Sequence, residues 1–250
     1  MPAPDAPRTP GVHRWDVVLP VKGGHAAKSR LGGDAALRGR LALAMALDCL
    51  DAVLAAPDVA RALVVTDDPA VAAAVAAGGA RVVAPGPASA RASALDEAVR
   101  DGARAAERCR AVPRDDAGGG AASAGAGAGA VTGVAVLLPD VPALRAEEVG
   151  AALAAASEAL AAGASAALVP DAAGRGTALL AARTAADLPV AYGEGSAGRH
   201  ARAGAAVLDL ALPGLRRDVD TRADLREAVA LGVGPRTADA LAQGRLHLAG

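Results

Sequence analysis

Two rhythms of apolar residues alternate along the chain. The first is a short, nearly unbroken apolar run, seen at 15–21, 62–66, 81–84, 134–138, 164–169 and 206–210, with a further run opening at Thr177. Runs of this length between turn residues fit strands buried on both faces. The second rhythm has helical spacing, clearest in Leu37, Leu41, Leu47, Leu50 and Leu54. One face of a helix over 37–55 is thereby turned to a core. Helices are likewise expected over 69–77, 93–110, 145–162, 197–203, 221–231 and 234–247. Strand and helix alternating throughout predicts an α/β fold with a mostly parallel sheet covered by helices on both faces.

The central strand carries the first chemical signal. Val134-Ala-Val-Leu-Leu138 stops at Pro139, which cannot donate to a sheet ladder, and Asp140 follows before a second proline. Asp140 therefore belongs at the carboxyl end of a central strand, where open α/β sheets bind ligands. A turn or helix cap is the competing reading for a single aspartate. Further on, Asp218 and Asp220 stand two apart, so an extended segment points both carboxylates the same way. Like charges so placed are unfavourable without a cation, though Asp220 or Thr221 also suits a helix cap.

The loop after the first strand is basic. Lys22-Gly-Gly-His-Ala-Ala-Lys28-Ser-Arg30 combines phosphate-directed donors with glycines that allow close backbone approach. Its spacing is neither a Walker A loop nor GxGxxG, and a solvated basic loop is the plainer alternative. Gly174 and Gly176 form a turn that leaves the Thr177 hydroxyl at the rim of its strand, and Ser196 is placed to cap the helix that follows. A helix N-terminus preceded by glycine suits an anion. His200 falls one helical turn after Ser196; a lone histidine there is ordinarily a surface or capping residue. Asp67 and Asp68 are expected to cap the helix beginning at Pro69. Ser93 with Asp96 and Glu97 has the pattern of an N-terminal cap.

Composition narrows the rest. Apolar residues make up 53% of the chain, but there is no Phe, so Val, Leu and Ala must build the core. A net charge of −1 offers no broad basic field for nucleic acid or an acidic membrane. Cys49 and Cys109 lack zinc-ligand spacing. Residues 1–14, Pro-rich and polar, are expected to be a disordered lead-in without a signal-peptide core. Residues 113–131, rich in Gly and Ala, are expected to be a flexible insertion within a single domain spanning 15–250. No stretch reads as a membrane span, and two incidental thiols are simplest in a cytosolic protein, so a cytoplasmic location is expected.

The ordered series Leu19-Pro-Val-Lys22, Ala27-Lys28-Ser-Arg30-Leu, Leu138-Pro-Asp140-Val-Pro, Gly176-Thr177-Ala-Leu-Leu, Tyr192-Gly193 with Ser196 and His200, and Asp218-Val-Asp220-Thr-x-x-Asp224-Leu resembles one family. This is the phosphoenolpyruvate/2-phospho-L-lactate guanylyltransferase family (CofC/FbiD) of deazaflavin coenzyme F-420 biosynthesis, within the MobA-like nucleotidyltransferases. The resemblance implies a Rossmann-like fold and a reaction of GTP with a phosphorylated three-carbon acid that releases pyrophosphate. It implies Mg2+ held by Asp140, Asp218 and Asp220, and GTP phosphates neutralised by Lys22, Lys28 and Arg30. Thr177, Gly193 and Ser196 would bind the acid. A composition resembling that of GC-rich actinobacteria favours phosphoenolpyruvate over 2-phospho-L-lactate. Handover of the product to the next pathway enzyme is implied by the same analogy.

Two departures stand out. The family often has Leu-Asn where this chain has Leu95-Asp96, and Gly-Gly-Thr-Asn where it has Gly174-Arg175-Gly176-Thr177-Ala178. The alternatives are transfer to a molybdopterin or sugar phosphate, and a catalytically silent nucleotide-binding scaffold. The glycine-rich first loop typical of the molybdopterin and sugar-phosphate relatives is replaced here by the Lys22-to-Arg30 pattern.

Overall fold

The computed structural model describes residues 14–21, 28–31, 34–87, 92–111 and 131–244. The expectations for the N-terminal lead-in, for Lys22 and for the Gly/Ala-rich insertion lie outside these residues.

Seven strands form one sheet: β1 (Arg14–Pro20), β2 (Val59–Val65), β3 (Arg81–Val83), β4 (Val131–Leu137), β5 (Ala166–Pro170), β6 (Thr177–Ala182) and β7 (Ala205–Val207), in the order β3-β2-β1-β4-β6-β5-β7. All neighbours pair in parallel except β6, which runs antiparallel to both β4 and β5. The reason is local. Between β5 and β6 the chain has only the turn at 171–176, closed by Asp171 N–H to Gly176 O at 3.0 Å and Gly174 N–H to Asp171 O at 3.0 Å. So short a connection permits only antiparallel pairing. It also carries Thr177, the first residue of β6, to the end of β4, where Leu138 N–H donates to Ala178 O at 3.3 Å.

The helices are α1 (Ala35–Ala55), α2 (Pro69–Ala77), α3 (Ala94–Ala111), α4 (Ala146–Ala161), α5 (Ser196–Arg202), α6 (Pro213–Arg216), α7 (Arg222–Leu231) and α8 (Pro235–Gly244). Alternate strand residues face opposite layers, as the period of two requires. Val17, Leu19, Val64, Ala135, Leu137 and Val169 meet α1 and α4 through Cys49, Leu50, Val53, Val149 and Leu153. Val18, Leu63, Val65, Val134, Val136 and Leu168 meet α3 and α5 through Val99, Ala103, Ala106 and Ala197. Helix α3 lies close on the sheet at Gly102, where a Cβ would come within 2.3 Å of Val18 Cγ1. Leu31, Met45, Val219, Leu225 and Ala228 form a smaller core that anchors α7.

The core is the Val/Leu/Ala core that the composition demands, and the charged Asp16 is fully buried within the sheet. Asp16 accepts from Arg61 Nε and Nη2 at 2.7 and 2.9 Å and from Arg110 Nε at 2.9 Å. Cys49 and Cys109 are both free thiols. Among the described residues no helix is long and apolar enough to cross a membrane.

Candidate active site

The carboxyl end of β4 opens into a cavity of about 650 Å3 lined by Asp140, Asp218, Asp220, Thr177, Gly193 and Ser196. All six were expected in the site from sequence. The chain segments converge through backbone hydrogen bonds. Val219 N–H donates to Asp140 O at 2.9 Å, so the segment carrying Asp218 and Asp220 is laid against the turn after β4. Val219 itself is fully buried, which turns the residues on either side of it toward the cavity. Thr221 and Asp224 then start α7 by capping reciprocally, Asp224 N–H to Thr221 Oγ1 at 3.2 Å and Thr221 N–H to Asp224 Oδ2 at 2.7 Å. Thr221 thus makes the helix cap and leaves Asp220 to the site.

Of the three expected phosphate-directed cations, Lys22 lies outside the described residues. Arg30 lines the cavity and is exposed. Lys28 is placed differently from the expectation. Its Nζ donates to Asp140 Oδ2 at 2.6 Å and to Asp220 Oδ1 at 2.9 Å, bridging two of the carboxylates. These partners raise the ammonium pKa even though burial opposes them. Lys28 holds this position at φ +57°, the left-handed region where a side chain is strained. Arg217, half-buried beside the cavity and paired with Glu227 Oε2 at 2.8 Å, is a cation that sequence reading missed. Nothing in its spacing marks it.

Two observations bear on whether the aspartates suit a divalent cation. Asp140 Oδ1 is buried with no hydrogen-bond partner among the described residues. Burial, with Asp140, Asp171 and Asp220 nearby, pushes the Asp218 carboxyl up to about 6. Both are properties that a dication would relieve, and carboxylate oxygen is the donor that magnesium takes. As they stand, no three acidic, histidine or cysteine side chains among the described residues are gathered closely enough to hold a metal, and the Lys28 ammonium occupies the space between two of them.

Across the cavity is a pair of buried hydroxyls. Thr177 and Ser196 are 3% and 2% exposed, with their oxygens 3.1 Å apart. Ser196 is not the helix cap expected from sequence. Gly195 takes that position at φ +72°, and Ser196 becomes the first residue of α5. Gly195 has no side chain to cap with, and the Ser196 hydroxyl instead meets Thr177 Oγ1 at the cavity wall. Gly193 also adopts positive φ, +107°. The loop they shape is braced by Arg199, whose guanidinium donates to the carbonyls of Ala191, Tyr192 and Glu194. His200 is neither a surface nor a capping residue. It is fully buried, with Nδ1 2.9 Å from Thr177 Oγ1 and Nε2 accepting from Ala191 N–H at 3.1 Å. Burial and the neighbouring Arg199 press its pKa down to about 4, so the ring is neutral.

The two departures acquire positions. Asp96 Oδ1 accepts from Tyr192 N–H at 2.8 Å, tying α3 to the Tyr192–Gly195 loop. Arg175 lines the cavity from its exposed turn, and its carbonyl accepts from Ala197 N–H at 3.0 Å. Asp171, which the sequence did not single out, also lines the cavity and holds that turn by accepting from Arg175 N–H and Gly176 N–H at 2.8 and 2.7 Å. A second hollow of about 520 Å3 lies beside the first, past Leu95, at the carboxyl ends of β1 and β2. It is lined by Val21, Thr66, Asp67, Ser93 and Glu97. Asp68, not Asp67, caps α2, and Ser93 Oγ accepts from Asp96 N–H at 3.0 Å as the cap pattern predicts.

No family model matches the chain. Solved structures with a similar fold include a putative nucleotide-diphospho-sugar transferase from Desulfovibrio desulfuricans G20, with a TM-score of 0.61 and 16% identity, covering 94% of this chain and 97% of that one. A nucleotidyl transferase from Methanothermobacter thermautotroptrophicus has a TM-score of 0.54 at 18% identity, covering 87% of this chain and 97% of that one. Curated relatives are much nearer in sequence. Proteins named phosphoenolpyruvate guanylyltransferase are 46% identical in Salinispora arenicola (90% of this chain, 92% of the relative) and 45% identical in Geodermatophilus obscurus (91% and 94%). One from Thermomonospora curvata is 46% identical over 90% of this chain and 87% of its own. At that identity over nearly full length, the chain belongs to the phosphoenolpyruvate guanylyltransferase family.

Proposed function

We propose that this chain joins GTP to phosphoenolpyruvate, giving enolpyruvyl-2-diphospho-5'-guanosine and pyrophosphate, as a step of coenzyme F-420 biosynthesis. The observation that carries this reading is a single cavity with carboxylates on one wall and buried hydroxyls on the other. An oxygen of the acid's phosphate attacks the α-phosphorus of GTP. The bond from that phosphorus to the bridging oxygen breaks, and pyrophosphate leaves with the electron pair. The attacking phosphate is already ionised at neutral pH, so catalysis reduces to alignment and charge neutralisation. Thr177, Ser196 and the Gly193 turn hold the acid. Lys22, Lys28 and Arg30 are assigned to the GTP phosphates, Lys28 by leaving the two carboxylates it bridges in the described structure.

Asp140, Asp218 and Asp220 would hold Mg2+. When bound, the ion supplies charge neutralisation for the phosphates. The orphaned Asp140 oxygen and the raised Asp218 carboxyl support that assignment. The hollow past Leu95 lies where the nucleoside of GTP is accommodated if its phosphates face the carboxylates. The two free thiols fit a cytoplasmic setting. Handover of the product to the next enzyme rests on the family alone.

Incubation with GTP, Mg2+ and phosphoenolpyruvate or 2-phospho-L-lactate, followed by pyrophosphate release, tests the reading. Release with phosphoenolpyruvate is expected. Faster release with 2-phospho-L-lactate would reassign the acid, and GTP binding with no release from either would indicate a silent scaffold.

A further inference from the structure

The Thr177–Ser196 pair has two hydroxyl hydrogens and one contact between its oxygens. Whether a hydrogen is left for a ligand depends on the third member of the chain, His200. Ala191 N–H is a backbone donor and has only one way to serve Nε2, by donating. Nε2 must therefore be unprotonated, and a neutral ring then carries its hydrogen on Nδ1. That hydrogen points at Thr177 Oγ1, 2.9 Å away. Thr177 accepts from the ring, one hydroxyl donates to the other, and one hydroxyl hydrogen is left over for the cavity.

In the opposite tautomer the bond from Ala191 N–H would be lost and the bond between the ring and Thr177 would reverse. Thr177 would donate to the ring, Ser196 would donate to Thr177, and the cavity would be offered only oxygen lone pairs. Such a wall repels an anion.

We propose that His200 is a positioning residue that sets the hydrogen-bond direction of the Thr177–Ser196 pair, so that the pair donates to an anionic oxygen of the acid substrate. The proposal rests on the reading that these hydroxyls bind the acid. Its surroundings keep the ring in one state. Arg199, on the same helix, opposes a second positive charge; Asp96 on α3 favours it; the Tyr192 ring stands edge-on at 5.2 Å. Burial decides in favour of the neutral form. His200 touches no part of the cavity itself, since it is fully buried behind Thr177.

The test combines tautomer and kinetics on the full chain. In the 15N-labelled protein, two-bond 1H–15N correlations identify His200 by the signals lost in His200→Asn. A neutral ring protonated at Nδ1 is expected between about pH 6 and 8. A ring protonated at Nε2, or charged in that range, overturns the proposal.

In the kinetics, His200→Leu should raise KM for phosphoenolpyruvate by about tenfold or more, the effect of losing a hydrogen bond to a charged group, with KM for GTP little changed. His200→Asn, whose amide can donate from near the Nδ1 position, should restore most of that loss. Thr177→Val separates the two layers of the argument. If it raises KM for the acid while His200→Leu does not, the hydroxyls bind the acid and His200 does not direct them. If Thr177→Val leaves that KM unchanged, the acid-binding reading fails and takes this proposal with it. Circular dichroism and thermal melting accompany each variant, and the tautomer measurement stands even if His200→Leu does not fold.

Discussion

Replacing Lys28 with Met removes the only charge that the described structure places between Asp140 and Asp220. Breaking a buried ion pair by deleting one partner costs about 3–5 kcal/mol, because a buried charge is left alone. Here the Asp140 side chain retains 22% of its exposure and Asp220 54%, so solvent screens part of the loss and about 2 kcal/mol is the reasonable magnitude. For a domain of this size that lowers Tm by about 4–8 °C.

Two further features distinguish this loss from a generic one. Asp218 already has its pKa raised to about 6 by burial and by its carboxylate neighbours. A carboxyl raised in the folded state contributes stability that is full below its ordinary 3.8 and is lost as pH rises through about 6. Without Lys28 the repulsion grows, so the deficit of Lys28→Met should be larger at pH 8 than at pH 5. A dication able to replace the ammonium should reverse it: saturation to about a hundred times Kd stabilises by about 2.7 kcal/mol, enough to offset the loss. The assay is urea or thermal unfolding of wild type and variant at both pH values, in EDTA and then in excess Mg2+. Identical stability of the two proteins in EDTA at pH 8 would refute the bridging position of Lys28. A deficit that Mg2+ leaves untouched would refute the carboxylates as its site.

Three more outcomes are expected. Asp140→Asn should abolish pyrophosphate release, by a factor of about a hundred or more, while the far-ultraviolet circular dichroism is unchanged; normal turnover would exclude Asp140 from the chemistry. Asp16→Asn should destabilise by about 3–5 kcal/mol in urea unfolding, since Arg61 and Arg110 would share a buried site with no counter-charge. For His200, the folded pKa of about 4 lies below its ordinary 6.5, so the unfolded chain binds the extra proton between those values. Its contribution, at most about 3 kcal/mol, is complete above pH 6.5 and is lost as pH falls toward 4. The difference between the wild-type and His200→Asn stability curves should have that slope and no other.

Most of the fold could be read from the chain because each strand is a short apolar run with a turn signal at its end, and each long helix has a regular stripe. The positions of Asp140, Asp218, Asp220 and Thr177 followed from strand ends and i, i+2 spacing. Four features did not follow. The antiparallel direction of β6 depends on the length of one turn, and the glycines at 174 and 176 mark the turn without stating its hand. The carboxylate bridge made by Lys28 was hidden because a sequence shows its charge and not the two carboxylates it reaches, 112 and 192 residues away. His200 looked peripheral because its partners, Thr177, Ala191 and the Tyr192 ring, lie on other segments and are not periodic with it. The glycine directly before Ser196 is the signal that could have moved the cap by one residue, since Gly195 takes that position with no side chain.

The departure at Asp96 joins these threads. An asparagine there would offer a carbonyl to Tyr192 N–H much as the carboxylate does, but its NH2 would need an acceptor of its own. Aspartate needs none, and its charge adds two effects. It strengthens the bond to Tyr192 N–H, because a charged acceptor holds a backbone donor more firmly than a neutral one. It also opposes Arg199 in setting the protonation of His200. The residue therefore belongs to the acid-binding half of the site although it is carried by α3, the helix whose first turn borders the other hollow through Ser93, Leu95 and Glu97. A shift of α3 at that hollow would be transmitted through Asp96 to the Tyr192–Gly195 loop, and so to Gly193 and Ser196. Asp96 thus links the helix that borders one hollow to the loop that lines the other.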